Sequence, residues 1–132
     1  MDKKNRYKIL LVEDENSIRL AYAEYLRMEG FEVEEASDGE IALKKAFEYP
    51  FDLMLLDIML PKIDGLEVLK RIRIDNKLKN KKVYLLTVLG KDKVITEAFK
   101  LGANGYFIKD KMTPEDIKKE ILIALEENSK NR

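Results

Sequence analysis

The residues Leu53–Leu56 form an uninterrupted apolar run that ends at Asp57. A run with no polar interruption is typical of a strand buried on both faces, as in the middle of a parallel sheet. Pro61 prevents the strand from continuing, and Asp64 with Gly65 offers a turn before the next helix. The run therefore predicts a central strand with a carboxylate at its end, which is where open α/β sheets bind ligands.

Strand and helix patterns alternate five times along the chain. The predicted helices follow apolar residues at helical spacing; Gly30 and Gly102 end two of them, and Thr113 with Pro114 begins the last. Repeated strand–helix units imply right-handed crossovers and a parallel sheet with helices on both faces. The predicted strands are Tyr7–Val12, Phe31–Ala36 (an edge strand with alternating acidic residues), Leu53–Asp57, Val83–Thr87 and Gly105–Ile108.

The length of 132 residues predicts one domain, 1–132, with a core at about 7–127 and short polar tails, the second being Glu126–Arg132. The N-terminal Met and the polar tail favour a stand-alone protein over a fragment that lacks an output domain. No apolar run approaches the roughly 20 residues that a membrane helix needs, and the absence of cysteine makes a cytoplasmic location the default expectation.

The chain also lacks histidine, which removes the commonest general base, the usual zinc ligand and every nucleophile–histidine pair. Any chemistry must use carboxylates, hydroxyls and lysines, and any metal is expected to be a hard cation bound by oxygen. Basic and acidic residues balance at 25 each, so no general affinity for nucleic acid is predicted.

Four predicted strand ends carry polar residues to one edge of the sheet: Glu13 and Asp14, Asp57, Thr87 and Lys109. Three carboxylates brought together repel one another, and a divalent cation such as Mg²⁺ offsets that repulsion. The set describes phosphoryl transfer to a carboxylate, with Asp57 as nucleophile, the metal and Lys109 neutralising oxygens, and Thr87 positioning one of them.

Each of these residues also has a simpler interpretation. Glu13 and Asp14 could favour the N-terminus of the following helix, and Lys109 could be an ordinary surface lysine. Thr87 could be a β-branched residue at a strand end, and Tyr106 a half-buried aromatic residue with its hydroxyl at the surface.

The chain resembles the receiver domain of two-component response regulators, of the single-domain, CheY-like kind, from about residue 7 to residue 127. The resemblance implies a flavodoxin-like (βα)5 three-layer sandwich whose five parallel strands have the order 2-1-3-4-5. The matching segments are Ile9–Asp14, Leu55–Gly65, Leu86-Thr87 and Leu101–Lys109.

The resemblance also implies roles for individual residues. Asp57 would accept a phosphoryl group from a phosphohistidine on a sensor histidine kinase or histidine phosphotransfer protein. Asp14, Asp57 and the backbone carbonyl of Met59 would bind Mg²⁺ directly, and Glu13 would act mainly through a metal-bound water.

Thr87 and Tyr106 would form the switch that the resemblance implies: Thr87 moves toward the phosphoryl group and Tyr106 turns inward. The face made by the fourth helix, fifth strand and fifth helix would then change its affinity for a downstream protein. The protein would be a monomer or a weak dimer, with no direct contact to nucleic acid or membrane.

Two positions depart from the family pattern. Asp110 stands where Pro commonly follows the lysine, so we expect a trans peptide bond, a shifted approach of Lys109 and a competing negative charge. Val88 stands where Ala or Gly is usual, and its β-branched bulk is expected to slow both loading from small phosphodonors and hydrolysis.

Two alternatives remain open at this point. One is a receiver-fold binding module that no longer uses phosphorylation. The other is a true enzyme such as a phosphohydrolase with an Asp nucleophile; such sites generally need a second acid two residues later, where this chain has Met59. The expectation is a signalling protein that catalyses only its own phosphorylation and dephosphorylation.

Overall fold

A computed structural model describes residues 7–88 and 90–130, excluding the side chains of 127–130. Five strands and five helices alternate along this part of the chain. They are β1 (Lys8–Val12), α1 (Asn16–Met28), β2 (Glu32–Ala36), α2 (Gly39–Glu48), β3 (Leu53–Asp57), α3 (Gly65–Arg73), β4 (Lys82–Thr87), α4 (Asp92–Lys100), β5 (Gly105–Ile108) and α5 (Pro114–Lys130).

The five strands form one parallel sheet in the order β2-β1-β3-β4-β5. The predicted α/β fold class and strand order are confirmed, and β2 lies at an edge as its alternating pattern predicted. Val12 of β1 pairs with Leu56 of β3, and Asp57 pairs with Leu86 of β4. Because the strands are parallel, the C-terminal ends of β1, β3 and β4 meet at one edge of the sheet.

Every residue of β3 is buried, as the apolar run predicted. Met54 and Leu56 pack into a core cluster shared with α2, α3 and α4, whereas Leu53 and Leu55 pack into a second cluster shared with α1 and α5. Helices therefore cover both faces of the sheet. The burial of β3 between two apolar layers fixes the position of Asp57 at its end.

Local hydrogen bonds explain where several helices begin and end. The carboxylates of Asp38 and Asp64 accept hydrogen bonds from the backbone N–H groups of Ile41 and Glu67, which caps α2 and α3. Thr113 and Asp116 form a reciprocal capping box at the start of α5. The caps at Asp64 and Thr113 agree with the turn and the helix start that the sequence indicated.

The helix α5 continues into the predicted polar tail as far as Lys130. No Gly or Pro interrupts 126–130, so the helical backbone extends beyond Leu125, the last residue whose side chain is described as buried. Residues 1–6, 131 and 132 of the predicted tails lie outside the described residues. Within the part that is described, no helix has the length and apolar character needed to span a membrane.

Candidate functional site

Three carboxylates lie together at the C-terminal edge of the sheet. Glu13 and Asp14 follow β1, Asp57 ends β3, and one oxygen of each lies within 4.8 Å of the others. Glu13 and Asp57 are buried, whereas Asp14 is exposed. The structure thus brings together the acids that the sequence placed at this edge.

Lys109 enters the cluster from the end of β5. Its Nζ atom lies 2.6 Å from Oε1 of Glu13 and forms an ion pair that lacks hydrogen-bond geometry. The same Nζ atom donates a hydrogen bond to Oδ2 of Asp57 at 3.2 Å. Burial alone would lower the pKa of Lys109, but the negative charges of Glu13 and Asp57 more than offset it, so the pKa is raised. Lys109 is therefore held as a cation between two buried carboxylates.

The residue after Lys109 does not keep the lysine out of the site. The described residues contain no cis peptide bond, so the Lys109–Asp110 bond is trans, as expected. The backbone N–H of Lys109 donates to the carbonyl of Thr87 at 2.8 Å, and the side chain of Asp110 is exposed to solvent. The effect of Asp110 on the rate of phosphorylation stays a prediction.

Asp57 carries a strongly perturbed carboxyl group. Burial and the charge of Glu13 raise its pKa to about 7, although Lys109 and the backbone N–H of Met59, which donates to Oδ1 at 3.0 Å, act in the opposite direction. The negative charge of the acids is therefore only partly neutralised by the side chains around them.

The acidic cluster fits a hard divalent cation such as Mg²⁺. All candidate ligands are oxygen atoms, two of the three carboxylates are buried, and Oε1 of Glu13 accepts no hydrogen bond among the described residues. The backbone of Met59 lies beside Asp57, consistent with the predicted contribution of its carbonyl. A bound cation would supply the positive charge that the cluster lacks.

The two predicted switch residues occupy different environments. Thr87 is buried at the end of β4, lines the pocket that contains the acids, and its hydroxyl donates to the carbonyl of Val88 at 3.3 Å. Tyr106 is 45% exposed and packs edge-to-face against Phe99 of α4, with 6.0 Å between ring centroids. The structure therefore places Thr87 in the site and Tyr106 on the surface that α4 and β5 share.

Comparison with known proteins identifies the family. The response regulator receiver domain family matches residues 9–122, which is most of the chain. This chain belongs to the response regulator receiver family. It is the receiver domain of a two-component response regulator, and receiver domains are signalling modules.

Curated relatives of this receiver domain include longer proteins. "Transcriptional regulatory protein ResD" from Bacillus subtilis (strain 168) is 38% identical over 109 residues, covering 83% of this chain and 44% of the relative. "Transcriptional regulatory protein SrrA" from Staphylococcus aureus (strain NCTC 8325 / PS 47) is 38% identical over 102 residues, covering 77% and 41%. The receiver domain spans less than half the length of these relatives.

Solved structures with the same fold cover nearly the whole chain. A CheY-like response regulator receiver domain protein from Methanospirillum hungatei JF-1 superposes with a TM-score of 0.87 at 30% identity, covering 96% of this chain and 99% of the other. Chemotaxis protein CheY4 of Vibrio cholerae superposes with a TM-score of 0.82 at 33% identity, covering 88% and 96%. The predicted flavodoxin-like, CheY-like architecture is confirmed.

Two residues that the sequence did not single out take part in the site. Arg19 of α1 donates from Nη1 to the backbone carbonyl of Glu13 at 2.9 Å and from Nε to Glu35 at 3.1 Å, which fixes the backbone at the end of β1. Lys91, between β4 and α4, lines the pocket of the receiver domain together with Asp57. Neither residue stands directly at a strand end, so the strand-end pattern could not reveal it.

Gly65 explains how α3 approaches the phosphoacceptor candidate so closely. A Cβ atom at this position would lie 2.5 Å from the carbonyl oxygen of Asp57 and 2.7 Å from Cα of Ile58. The N–H of Gly65 donates to the carbonyl of Ile58 at 2.9 Å. Only a residue without a side chain allows the start of α3 to hold the end of β3 in this way.

Proposed function

We propose that this receiver domain accepts a phosphoryl group on Asp57 from a phosphohistidine of a sensor histidine kinase or histidine phosphotransfer protein. The observation that carries the proposal is the convergence of Asp57, Glu13, Asp14 and Lys109 in one pocket at the edge of the sheet. The chain has no histidine, so it cannot itself supply the phosphohistidine. The modified chain then acts as a signal and turns over no other substrate.

In the transfer step, a carboxylate oxygen of Asp57 attacks the phosphorus atom and the P–N bond of the phosphohistidine breaks. The electrons of that bond return to the imidazole, which takes a proton from solvent. Lys109 and the N–H of Met59 hold the two oxygens of Asp57, so the carboxylate is oriented before the donor arrives.

Asp14, Asp57 and the backbone carbonyl of Met59 are the proposed ligands of Mg²⁺, with Glu13 acting through a water molecule. When bound, the ion neutralises negative charge on the carboxylate and phosphoryl oxygens. The proposal is supported by the oxygen-only composition of the cluster and by the raised pKa of Asp57.

The proposed output is a change at the surface formed by α4, β5 and α5. Thr87, buried beside the acids, would move toward the phosphoryl oxygens, and Tyr106 would leave its exposed position beside Phe99 and turn inward. The two packings would exist before phosphorylation, and the modification would shift their populations. An unidentified downstream protein would recognise this surface.

We also propose that the receiver domain acts as one unit from residue 1 to residue 132, as a monomer or weak dimer in the cytoplasm, without direct contact to nucleic acid or membrane. ResD and SrrA are named as transcriptional regulators, but this chain covers less than half of each. For this chain we therefore propose recognition of a protein partner.

The decisive experiment is intact-mass measurement after incubation with acetyl phosphate and Mg²⁺. The wild type is expected to gain one phosphoryl group, whereas Asp57→Asn, or the wild type with EDTA, gains none. Asp110→Asn is the matched control: this exposed carboxylate lies next to Lys109 and is expected to affect only the rate, so the end-point gain of one phosphoryl group should remain. Phosphorylation that survives Asp57→Asn would contradict the assignment, and a phosphorylation-independent binding module would gain no mass with any donor.

A further inference from the structure

A second lysine lines the pocket that contains the acidic cluster. The pocket has a volume of about 500 Å³, and Lys91 lines it together with Asp57 and Lys109. Lys109 reaches it from the end of β5, whereas Lys91 reaches it from the segment between β4 and α4. We infer that Lys91 is a second phosphoryl-binding lysine, a role that rests on the proposed phosphorylation of Asp57.

The two lysines differ in how their charges are used before phosphorylation. The ammonium of Lys109 contacts two carboxylates, at 2.6 Å for Glu13 and 3.2 Å for Asp57. Lys91 forms no ion pair with any carboxylate in the part of the chain that the structure describes. Lys91 is therefore a half-buried cation beside an acidic pocket, and its ammonium group is not paired with a carboxylate of the described residues.

The charge of the modified site requires such a cation. A phosphoryl group carries about −1.5 to −2 at neutral pH, so its transfer to Asp57 adds roughly one negative charge to a pocket that four acidic residues already line, Glu13, Asp14, Glu15 and Asp57. Lys109 is shared between Glu13 and Asp57 from the outset. Among the described residues that line the pocket, Lys91 is the one further cation able to form a charge-assisted hydrogen bond with a phosphoryl oxygen.

The local backbone leaves the side chain of Lys91 available for this contact. Lys91 precedes α4 and its carbonyl accepts the N–H of Ile95 at 2.9 Å, but its side chain makes no capping hydrogen bond. Gly90 before it adopts a left-handed conformation at φ 88, and apart from its chain neighbours no described residue lies within 4 Å of the place where a Cβ would stand. The side chain can therefore reorient toward the pocket without breaking a contact that holds the helix.

Binding of beryllofluoride, a phosphoryl mimic that coordinates to an aspartate oxygen, tests this role directly. The probe is Be²⁺ with fluoride in the presence of Mg²⁺, and the bound species is followed by fluorine NMR. Lys91→Gln is expected to weaken binding about tenfold, the lower end of what one charge-assisted hydrogen bond contributes, because Lys91 is only half-buried. Lys91→Arg keeps the charge and is expected to stay within twofold of the wild type.

The matched control is Lys93→Gln. Lys93 lies two residues away in the first turn of α4, but it is exposed and faces Asp92 and Glu97 rather than the acidic cluster. This variant is expected to bind beryllofluoride as the wild type does. The difference between Lys91→Gln and Lys93→Gln should shrink as salt is added, because salt screens the interaction of a partly exposed cation.

The outcomes separate the two proposals. Equal binding by Lys91→Gln and Lys93→Gln, alongside normal binding by the wild type, overturns the role of Lys91 and leaves the phosphorylation of Asp57 intact. A loss in Lys91→Arg as large as in Lys91→Gln also overturns it, because the effect would then not depend on charge. Failure of the wild type both to bind beryllofluoride and to gain a phosphoryl group overturns the proposed function together with the inference.

Discussion

Replacing Asp57 by Asn is expected to stabilise the metal-free protein at pH 8. The carboxyl group is 3% exposed, and burial together with the charge of Glu13 raises its pKa from 3.8 to about 7. The folded state then binds more protons than the unfolded state between about pH 4 and pH 7. The contribution of this group to stability is therefore present at low pH and is lost as the pH rises through the folded pKa.

The size of the effect follows from the shift. A change from 3.8 to about 7 corresponds to an upper limit of roughly 4 kcal/mol, at 1.36 kcal/mol per pKa unit. The pKa of about 7 already includes the attraction of Lys109. Asn has a single acceptor oxygen, however, and when that oxygen accepts the N–H of Met59 the amide NH2 group faces Lys109, which offsets part of the gain. We expect Asp57→Asn to raise the free energy of unfolding by about 2 kcal/mol at pH 8.

Urea unfolding followed by far-ultraviolet circular dichroism, with EDTA present, measures this directly. At pH 5 the folded wild-type carboxyl group is mostly protonated whereas the unfolded one is already ionised, so the advantage of Asp57→Asn should fall to less than half of its value at pH 8. Mg²⁺ should reduce the advantage at pH 8, because a bound cation stabilises the charged wild type. Asp110→Asn is the control, since an exposed carboxylate should change stability by less than about 0.5 kcal/mol at either pH.

The prediction would be refuted if the difference in the free energy of unfolding between Asp57→Asn and the wild type were the same at pH 5 and pH 8. It would also be refuted if the substitution destabilised the protein more at pH 8, because the charge of Asp57 would then be favourable overall through its contact with Lys109.

Three other substitutions test neighbouring parts of the site. Val88→Ala should speed both phosphorylation by acetyl phosphate and hydrolysis, since Val88 is 42% exposed at the pocket; unchanged rates in a phosphorylation time course would show that its bulk does not limit access. Without metal, Lys109→Met should lower the free energy of unfolding by about 3 kcal/mol at pH 8, because Glu13 and Asp57 lose their buried counter-ion. Urea titration measures this loss, and added Mg²⁺ should restore part of the stability. Gly65→Ala should cost about 2 kcal/mol of stability in the same titration, since its Cβ would lie 2.5 Å from the carbonyl of Asp57; wild-type stability would contradict the close approach.

The sequence predicted the fold in detail because its strands are short and their apolar patterns are distinct. The bounds of β3 and β5 agree with the prediction at both ends, and β2 and β4 differ by one residue at their starts. The continuation of α5 into the polar tail could not be predicted, since a helical segment without apolar residues has no periodic signal after Leu125. Helical hydrogen bonds continue there because no residue breaks them.

The position of the candidate site could be predicted for a similar reason. Glu13, Asp57, Thr87 and Lys109 stand at or directly after strand ends, and parallel pairing brings these ends to one edge. Lys91 could not be predicted, because its place beside the acids depends on the path of an irregular segment. The roles of these residues in phosphoryl transfer stay predictions until the mass measurement is made.

The two sides of the pocket differ in how firmly the fold holds them. β3 is buried along its whole length between two apolar layers, whereas Ala98 is the one fully buried residue that α4 contributes among the described residues. The free energy of local opening is therefore expected to be high for the strand that carries Asp57 and low for the helix that follows Lys91.

This difference sets how far a modification of Asp57 can act. A coupling of about 1–3 kcal/mol is typical between two sites in a protein, which is too little to displace a strand in the centre of the core. The same energy is enough to change the populations of a helix that is held by few buried contacts. The rigid side of the receiver domain would therefore provide a fixed point for the proposed phosphorylation, and α4 is the element whose position that modification is expected to change.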